Sequence, residues 1–128
     1  MTQLRRRVLI VDDDADVRRA LGTLLGRYHD VVLAASGADA LTIVGSEGPF
    51  DAVLCDLMMP AMDGVAVYET LRRESPDVCA RFAFVTGGAL TQRTNALVAS
   101  GEVIILEKPS RLADLLRVIG ELASRPRR

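Results

Sequence analysis

Val8-Leu9-Ile10-Val11-Asp12-Asp13-Asp14 is the stretch that decides the fold. Four consecutive apolar residues, two of them valine and one isoleucine, break without transition into three carboxylates. A continuous rather than alternating apolar run is the mark of a strand covered on both faces, which occurs in parallel sheets flanked by helices. In open sheets of that kind ligands bind beyond the carboxyl ends of the strands. Asp12, Asp13 and Asp14 therefore fall on the edge where such a fold does its chemistry.

Working outward, the same pattern recurs at Val31-Val32-Leu33-Ala34, Ala52-Val53-Leu54-Cys55, Phe82-Ala83-Phe84-Val85 and Val103-Ile104-Ile105-Leu106, which makes five predicted strands. Between them lie amphipathic segments. Val17, Ala20, Leu21, Leu24 and Leu25 form a helical stripe within residues 15–27, with Asp14 placed to cap it. Ser36 opens a short helix carrying Leu41 and Val44 that is expected to end near Gly45, and Val65, Tyr68 and Leu71 mark a third between Gly64 and Arg73, closed by Ser75-Pro76. A sparser fourth runs from Thr91 to Ala99, where mobility is expected. The last, from Ser110 to Ala123, carries Leu112, Leu115, Leu116, Ile119 and Leu122 on one stripe and stops at Arg125-Pro126. Strands alternating with helices imply right-handed βαβ units and a doubly wound, mostly parallel α/β sheet with helices on both faces.

Composition sets the outer bounds. The 128 residues are 49% hydrophobic and 26% charged, with 16 basic and 17 acidic side chains and a net charge of -1. That is one domain with an adequate core, not a disordered chain. The expected core spans residues 7–123, with short basic tails. No apolar run approaches the ~18 residues of a membrane span, and the segment after Arg7 is too short for a signal-peptide core, so a cytoplasmic location is expected. Cys55 and Cys79 are expected to be buried free thiols. Arg5-Arg6-Arg7 and Arg125, Arg127 and Arg128 are read as solvated tails rather than a nucleic-acid surface, because no DNA-binding motif accompanies them and the net charge is negative. His29, the single histidine, is expected on a surface or loop, away from the site.

The polar residues at the predicted strand ends carry the chemistry. Asp12, Asp13 and Asp56 would converge, and three carboxylates repel one another unless a cation joins them. Hard oxygen donors with room for water and phosphate suit Mg²⁺. Lys108 can reach the cluster as a point charge, Thr86 offers a hydroxyl, and Gly87-Gly88 would let backbone come close. Singly, each has an ordinary explanation: a solvated turn, a surface lysine, a strand-terminal threonine. Together, in that order, they form a set.

That set resembles the receiver domains of two-component response regulators over nearly the whole chain. The matching residues are Val8 to Asp14, Asp56-Leu57-Met58-Met59-Pro60 with Met62-Asp63-Gly64, Thr86-Gly87 and Lys108-Pro109, with steps of 30 residues from Asp56 to Thr86 and 22 from Thr86 to Lys108. The resemblance implies a flavodoxin-like (βα)5 fold. It implies that Asp56 accepts a phosphoryl group from a phosphohistidine, on a histidine kinase or a histidine phosphotransfer protein. It also implies that Asp13, Asp56 and the Met58 carbonyl ligate Mg²⁺, that Asp12 holds metal-bound water, and that Thr86 is the switch hydroxyl and Lys108 the phosphate partner. Phosphorylation would then bias the face formed by the fourth helix, fifth strand and fifth helix toward a downstream partner, with a phosphorylation-linked dimer as one outcome. The resemblance also makes Lys108-Pro109 a cis-peptide candidate.

Two positions depart from the family. Ile105 stands where many members carry an inward-swinging aromatic, which puts the usual coupled switch in doubt, and Ser110 stands where phenylalanine is common and is a candidate cap for the last helix. Val85 to Ala89 together with Leu106 to Pro109 looks most like receivers fused to hybrid histidine kinases; Met1 and the lack of a linker support a stand-alone receiver equally. The competing functions are a pseudo-receiver that signals without phosphate, which would be expected to lack one of Asp12, Asp13, Asp56, Thr86 and Lys108, and a small doubly wound enzyme, which would need a GxGxxG or GxxxxGK[ST] loop that is not present.

Overall fold

A computed structural model describes residues 4–88, 90–108 and 110–126. The chain runs β1 (Arg7–Val11), α1 (Ala15–Leu25), β2 (Asp30–Ala34), α2 (Gly37–Glu47), β3 (Ala52–Asp56), α3 (Gly64–Glu74), α4 (Pro76–Cys79), β4 (Phe82–Thr86), α5 (Gln92–Ala99), β5 (Ile104–Glu107) and α6 (Leu112–Ala123). The strands form one parallel sheet in the order β2-β1-β3-β4-β5. The chain moves outward from β1 to β2 and then returns past β1 to β3, so the winding direction reverses beside β1, at the switch point where such sheets bind ligands.

Alternate residues of each strand feed two cores. Leu9, Val11, Val53, Cys55, Phe82 and Phe84 face α2 and α3, where Val44, Val65, Tyr68 and Leu71 meet them. Val8, Ile10, Leu54, Ala83 and Val85 face the other way, against Leu25 of α1 and Leu115, Val118, Ile119 and Leu122 of α6. Burial on both faces is why the strands read as unbroken apolar runs. Tyr68, Phe82 and Phe84 stack edge to face in the first core, with the two phenylalanine centroids 5.1 Å apart. Cys55 and Cys79 are buried and not joined in a disulfide, and the Cys79 thiol donates to the Tyr68 carbonyl at 3.7 Å. Among the described residues no helix is long and apolar enough to cross a membrane.

Several expectations need correction. The α2 helix continues past Gly45 to Glu47, because a glycine inside a helix costs only ~1 kcal/mol and the break waits for the extended Gly48 before Pro49. Ser75-Pro76 does more than end α3: proline at a first helical position starts the additional turn α4. β5 begins one residue later than expected and includes Glu107. Ser110 does not cap α6; its hydroxyl donates to the Glu107 carbonyl at 2.7 Å, and Arg111 stands at the cap with no side-chain bond. His29 is buried rather than superficial, its Nδ1 accepting the Arg6 amide at 3.0 Å. Of the basic ends, Arg5 and Arg125 are tethered rather than solvated: Arg5 donates to the His29 carbonyl at 2.9 Å and pairs with Asp30 at 3.1 Å, and Arg125 donates to the carbonyls of Ala80 and Glu102, while Arg127 and Arg128 lie outside the described residues. The Lys108-Pro109 peptide lies outside the described residues.

Candidate functional site

β1 lies on one side of the switch point and β3, β4 and β5 on the other, and all four deliver polar residues to the same edge. Asp12 and Asp13 follow β1, Asp56 ends β3, Thr86 ends β4 and Lys108 follows β5. The sheet therefore gathers what the sequence separates by 96 positions. Carboxylate oxygens of Asp12, Asp13 and Asp56 all come within 4.8 Å of one another, with Asp12 and Asp56 buried and Asp13 exposed. Lys108 Nζ sits 2.9 Å from Asp12 Oδ2 and 3.4 Å from Asp56 Oδ1.

Local hydrogen bonds hold these groups in place. Asp12 Oδ1 accepts the Asp14 amide at 2.9 Å, and Asp14 Oδ1 in turn caps α1 by accepting the amides of Asp16 and Val17. The Met58 amide donates weakly to Asp56 Oδ1 at 3.4 Å, and the Met58 side chain stands open at the mouth of the site, 62% exposed. Thr86 Oγ1 accepts the Gly88 amide at 3.2 Å, which leaves its own proton available to an incoming acceptor. The Thr86 carbonyl accepts the Lys108 amide at 2.8 Å, so the two loops are joined through backbone as well.

Burial raises the Asp56 carboxyl above its ordinary value; Lys108 opposes that shift and the charge of Asp12 adds to it. Burial alone would lower Lys108, but its bond to Asp12 and the charge of Asp56 outweigh it and the net shift is upward. Lys108 thus stays cationic and Asp56 remains short of positive charge. A donor set of hard oxygens with that deficit fits a Mg²⁺ ion, which takes only one or two protein carboxylates and keeps water in its remaining positions. The neighbouring Cys55 thiol is pushed well up by burial, with Asp56 and Asp12 adding to the rise, and stays protonated and inert.

Two residues have roles here that the sequence pattern did not give: Gly64, matched only as part of a motif, and Arg18. The close approach assigned to Gly87 and Gly88 is not demanded there: a Cβ at Gly87 would meet Lys108 Cβ at an ordinary 3.7 Å, and one at Gly88 would meet nothing within 4 Å. It is demanded at Gly64, where a Cβ would lie 2.6 Å from the Asp56 carbonyl oxygen and 3.0 Å from Leu57 Cα. Asp63 caps α3 by accepting the Ala66 amide at 2.8 Å, which turns the chain so that Gly64 can lie on β3. The second residue is Arg18, whose Nη1 donates to the Asp12 carbonyl at 2.8 Å. Arg18 lies off the apolar stripe of α1, and nothing in the sequence pattern marks it for a contact with Asp12. His29 lies at the other end of β1, beside Arg6, and takes no part.

Residues 8–120 match the family model described as the response regulator receiver domain. The sensor kinase CckA of Brucella abortus is 36% identical over 117 residues, which are 90% of this chain and 12% of that protein. The response regulator MprA of Mycolicibacterium vanbaalenii is 36% identical over 111 residues, 86% of this chain and 47% of that protein. A receiver domain protein described as CheY-like, from Methanospirillum hungatei, superposes with a TM-score of 0.81 at 28% identity, covering 92% of this chain and 93% of that one. The chain thus spans less than half the length of both curated relatives.

Proposed function

We propose, from the premise that this chain belongs to the response regulator receiver domain family, that Asp56 is its phosphoacceptor and that Asp12, Asp13, Thr86 and Lys108 serve the transfer. One observation carries the assignment: Lys108 Nζ bridges Asp12 and Asp56 inside a cluster of three carboxylates at the switch point. The donor is a phosphohistidine on a histidine kinase or histidine phosphotransfer protein. An Asp56 carboxylate oxygen forms a bond to phosphorus, the phosphorus–nitrogen bond to the imidazole breaks, and the imidazole nitrogen leaves with that electron pair. Asp12, Asp13, Asp56 and the Met58 carbonyl are the groups that would hold Mg²⁺. When bound, the ion offsets the repulsion between an anionic nucleophile and an anionic phosphoryl group.

The protein's own residues do the positioning. Asp56 enters from a strand end gripped by both neighbouring strands, so its carboxylate is held rather than recruited. Lys108 is already at the cluster and need only exchange Asp56 Oδ1 for a phosphoryl oxygen. Thr86 has a proton to donate, and its bond to Gly88 ties any movement of the hydroxyl to the loop leading into α5. The joint Thr86–Lys108 backbone bond carries the same pull to β5, so α5, β5 and α6 form the responding face. With α4 inserted as an extra turn, these are the fourth helix, fifth strand and fifth helix expected from the sequence. In this reading the domain catalyses only its own phosphorylation and dephosphorylation, in the cytoplasm, and its downstream partner binds the responding face.

Incubation with Mg²⁺ and acetyl phosphate should add a single phosphoryl group, visible as one mass increment, that Asp56→Asn abolishes. An unmodified wild-type chain, under conditions that load other receivers, refutes the assignment and favours the pseudo-receiver. Lys108→Ala should leave Mg²⁺ binding largely intact while abolishing the conformational response to phosphorylation, read from amide resonances of α5 and β5.

A further inference from the structure

The carbonyl oxygen of Asp12 has no partner within the sheet. The Asp12 amide donates to the Ala34 carbonyl at 3.1 Å, so the amide and carbonyl of Asp12 both face β2, and β2 ends at Ala34. Asp12 is only 2% exposed, so its carbonyl is a buried acceptor that needs a donor from the protein. Arg18 supplies it at 2.8 Å, reaching back from the second turn of α1. The guanidinium is spent on a carbonyl although Asp12, Asp13, Asp14 and Asp16 all lie within six residues of it. It also places a cation near the N-terminal end of a helix, where the backbone dipole disfavours positive charge.

The position of that carbonyl explains the arrangement. The C=O of Asp12 and the N–H of Asp13 belong to one rigid peptide plane. A donor that fixes the carbonyl therefore fixes the direction in which Asp13 leaves the backbone. Asp13 is the exposed member of the carboxylate cluster, while Asp12 is held by Asp14 and Lys108. We propose that Arg18 is the positioning residue of the metal site: by holding the Asp12 carbonyl it orients the Asp12–Asp13 peptide and aims the Asp13 carboxylate at the cation. The proposal rests on the receiver reading of Asp12, Asp13 and Asp56.

The sign of the effect separates geometry from charge. Arg18 is itself a cation, so if it acted on the site through its charge alone, removing it would tighten Mg²⁺ binding. A positioning role predicts the opposite. Calorimetric titration of the whole chain with Mg²⁺ should show Arg18→Met, which keeps the aliphatic stem and loses the donors, binding about tenfold more weakly, the loss typical of residues that orient metal ligands. Arg18→Lys, with a shorter reach and one donor group, should fall between Met and the wild type. In the metal-free protein the Asp13 amide resonance should shift in Arg18→Met while those of Leu9 and Ile10 stay in place. Mg²⁺ binding by Arg18→Met equal to or tighter than wild type overturns the proposal, as does Arg18→Lys binding no better than Arg18→Met. Should Arg18→Met fail to fold, Arg18→Lys decides alone: weaker binding supports positioning, and equal or tighter binding refutes it. A wild-type chain that takes up no Mg²⁺ overturns the metal site itself, an outcome distinguished by Asp13→Asn giving the same flat titration.

Discussion

At the scale of single residues, His29 makes the fold sensitive to acid. Burial lowers its imidazole below the ordinary value of 6.5, Arg5 and Arg6 lower it further, and Asp30 and Asp51 oppose them. Nδ1 accepts the Arg6 amide, an arrangement only the neutral ring can make. As pH falls below about 6.5 the unfolded chain binds a proton that the folded chain refuses, so stability present above that pH is lost progressively beneath it. The urea midpoint should therefore drop between pH 7.5 and pH 5.5, and His29→Gln should flatten that part of the profile; a wild-type midpoint constant across the interval would show that the ring is not linked to folding. Gly64 is constrained more severely. Gly64→Ala puts a methyl against the Asp56 carbonyl, and such overpacking costs ~1–3 kcal/mol, read from the same midpoint. Because the atom displaced belongs to Asp56, phosphorylation by acetyl phosphate should also slow. His29 does not announce itself in the sequence, and Gly64, although part of a matched motif, does not show there why it must be glycine. A lone histidine before a strand has no pattern to place it, and the crowding at Gly64 comes from a strand eight positions earlier.

At the scale of elements, α6 was the most legible and α4 the least. Leu115 and Ile119 recur at helical spacing, and both are fully buried against the sheet. Leu115→Ala should cost ~2–5 kcal/mol, a loss visible in thermal or urea unfolding, since the packed second core has no room to collapse around the cavity. Periodicity reports such a face because burial is repeated along the element. The caps are less legible, since each depends on one side chain choosing among nearby partners. Asp14 and Ser36 bond as their positions suggest, whereas the Ser110 hydroxyl finds the Glu107 carbonyl first. A single turn such as α4 has too few residues to show any period. Ile105, where an aromatic ring is common in the family, is half-buried and packs against the first core, which includes Tyr68, Phe82 and Phe84.

At the scale of the whole molecule, the proposed metal site predicts that the carboxylate cluster links Mg²⁺ to stability. A ligand that binds only the folded state stabilises it by about 2.7 kcal/mol at a hundred times its Kd. Saturating Mg²⁺ should accordingly raise the melting temperature, EDTA should reverse the rise, and Asp13→Asn should abolish it while leaving the metal-free chain folded. A melting temperature indifferent to Mg²⁺ in the wild type would contradict the metal assignment. The sheet would make this link direct, because the proposed ligands sit at the ends of β1 and β3, adjacent strands in its interior.

What the sequence by itself determined is whatever repeats or recurs locally: five doubly buried strands, the helices between them, and the polar residues at each strand end. From these the parallel α/β architecture follows, and with it the edge where Asp12, Asp13, Asp56, Thr86 and Lys108 must gather. Only the tertiary structure decided which groups touch. Lys108 bonds to Asp12 as well as Asp56, Arg18 turns back onto the Asp12 carbonyl, Gly64 presses on Asp56, and Arg5 and Arg125 fold onto the body of the domain. The reason is one of range. Burial writes a period into the sequence because every turn or alternate residue meets the same core, whereas a single hydrogen bond between distant segments leaves no repeat to be read.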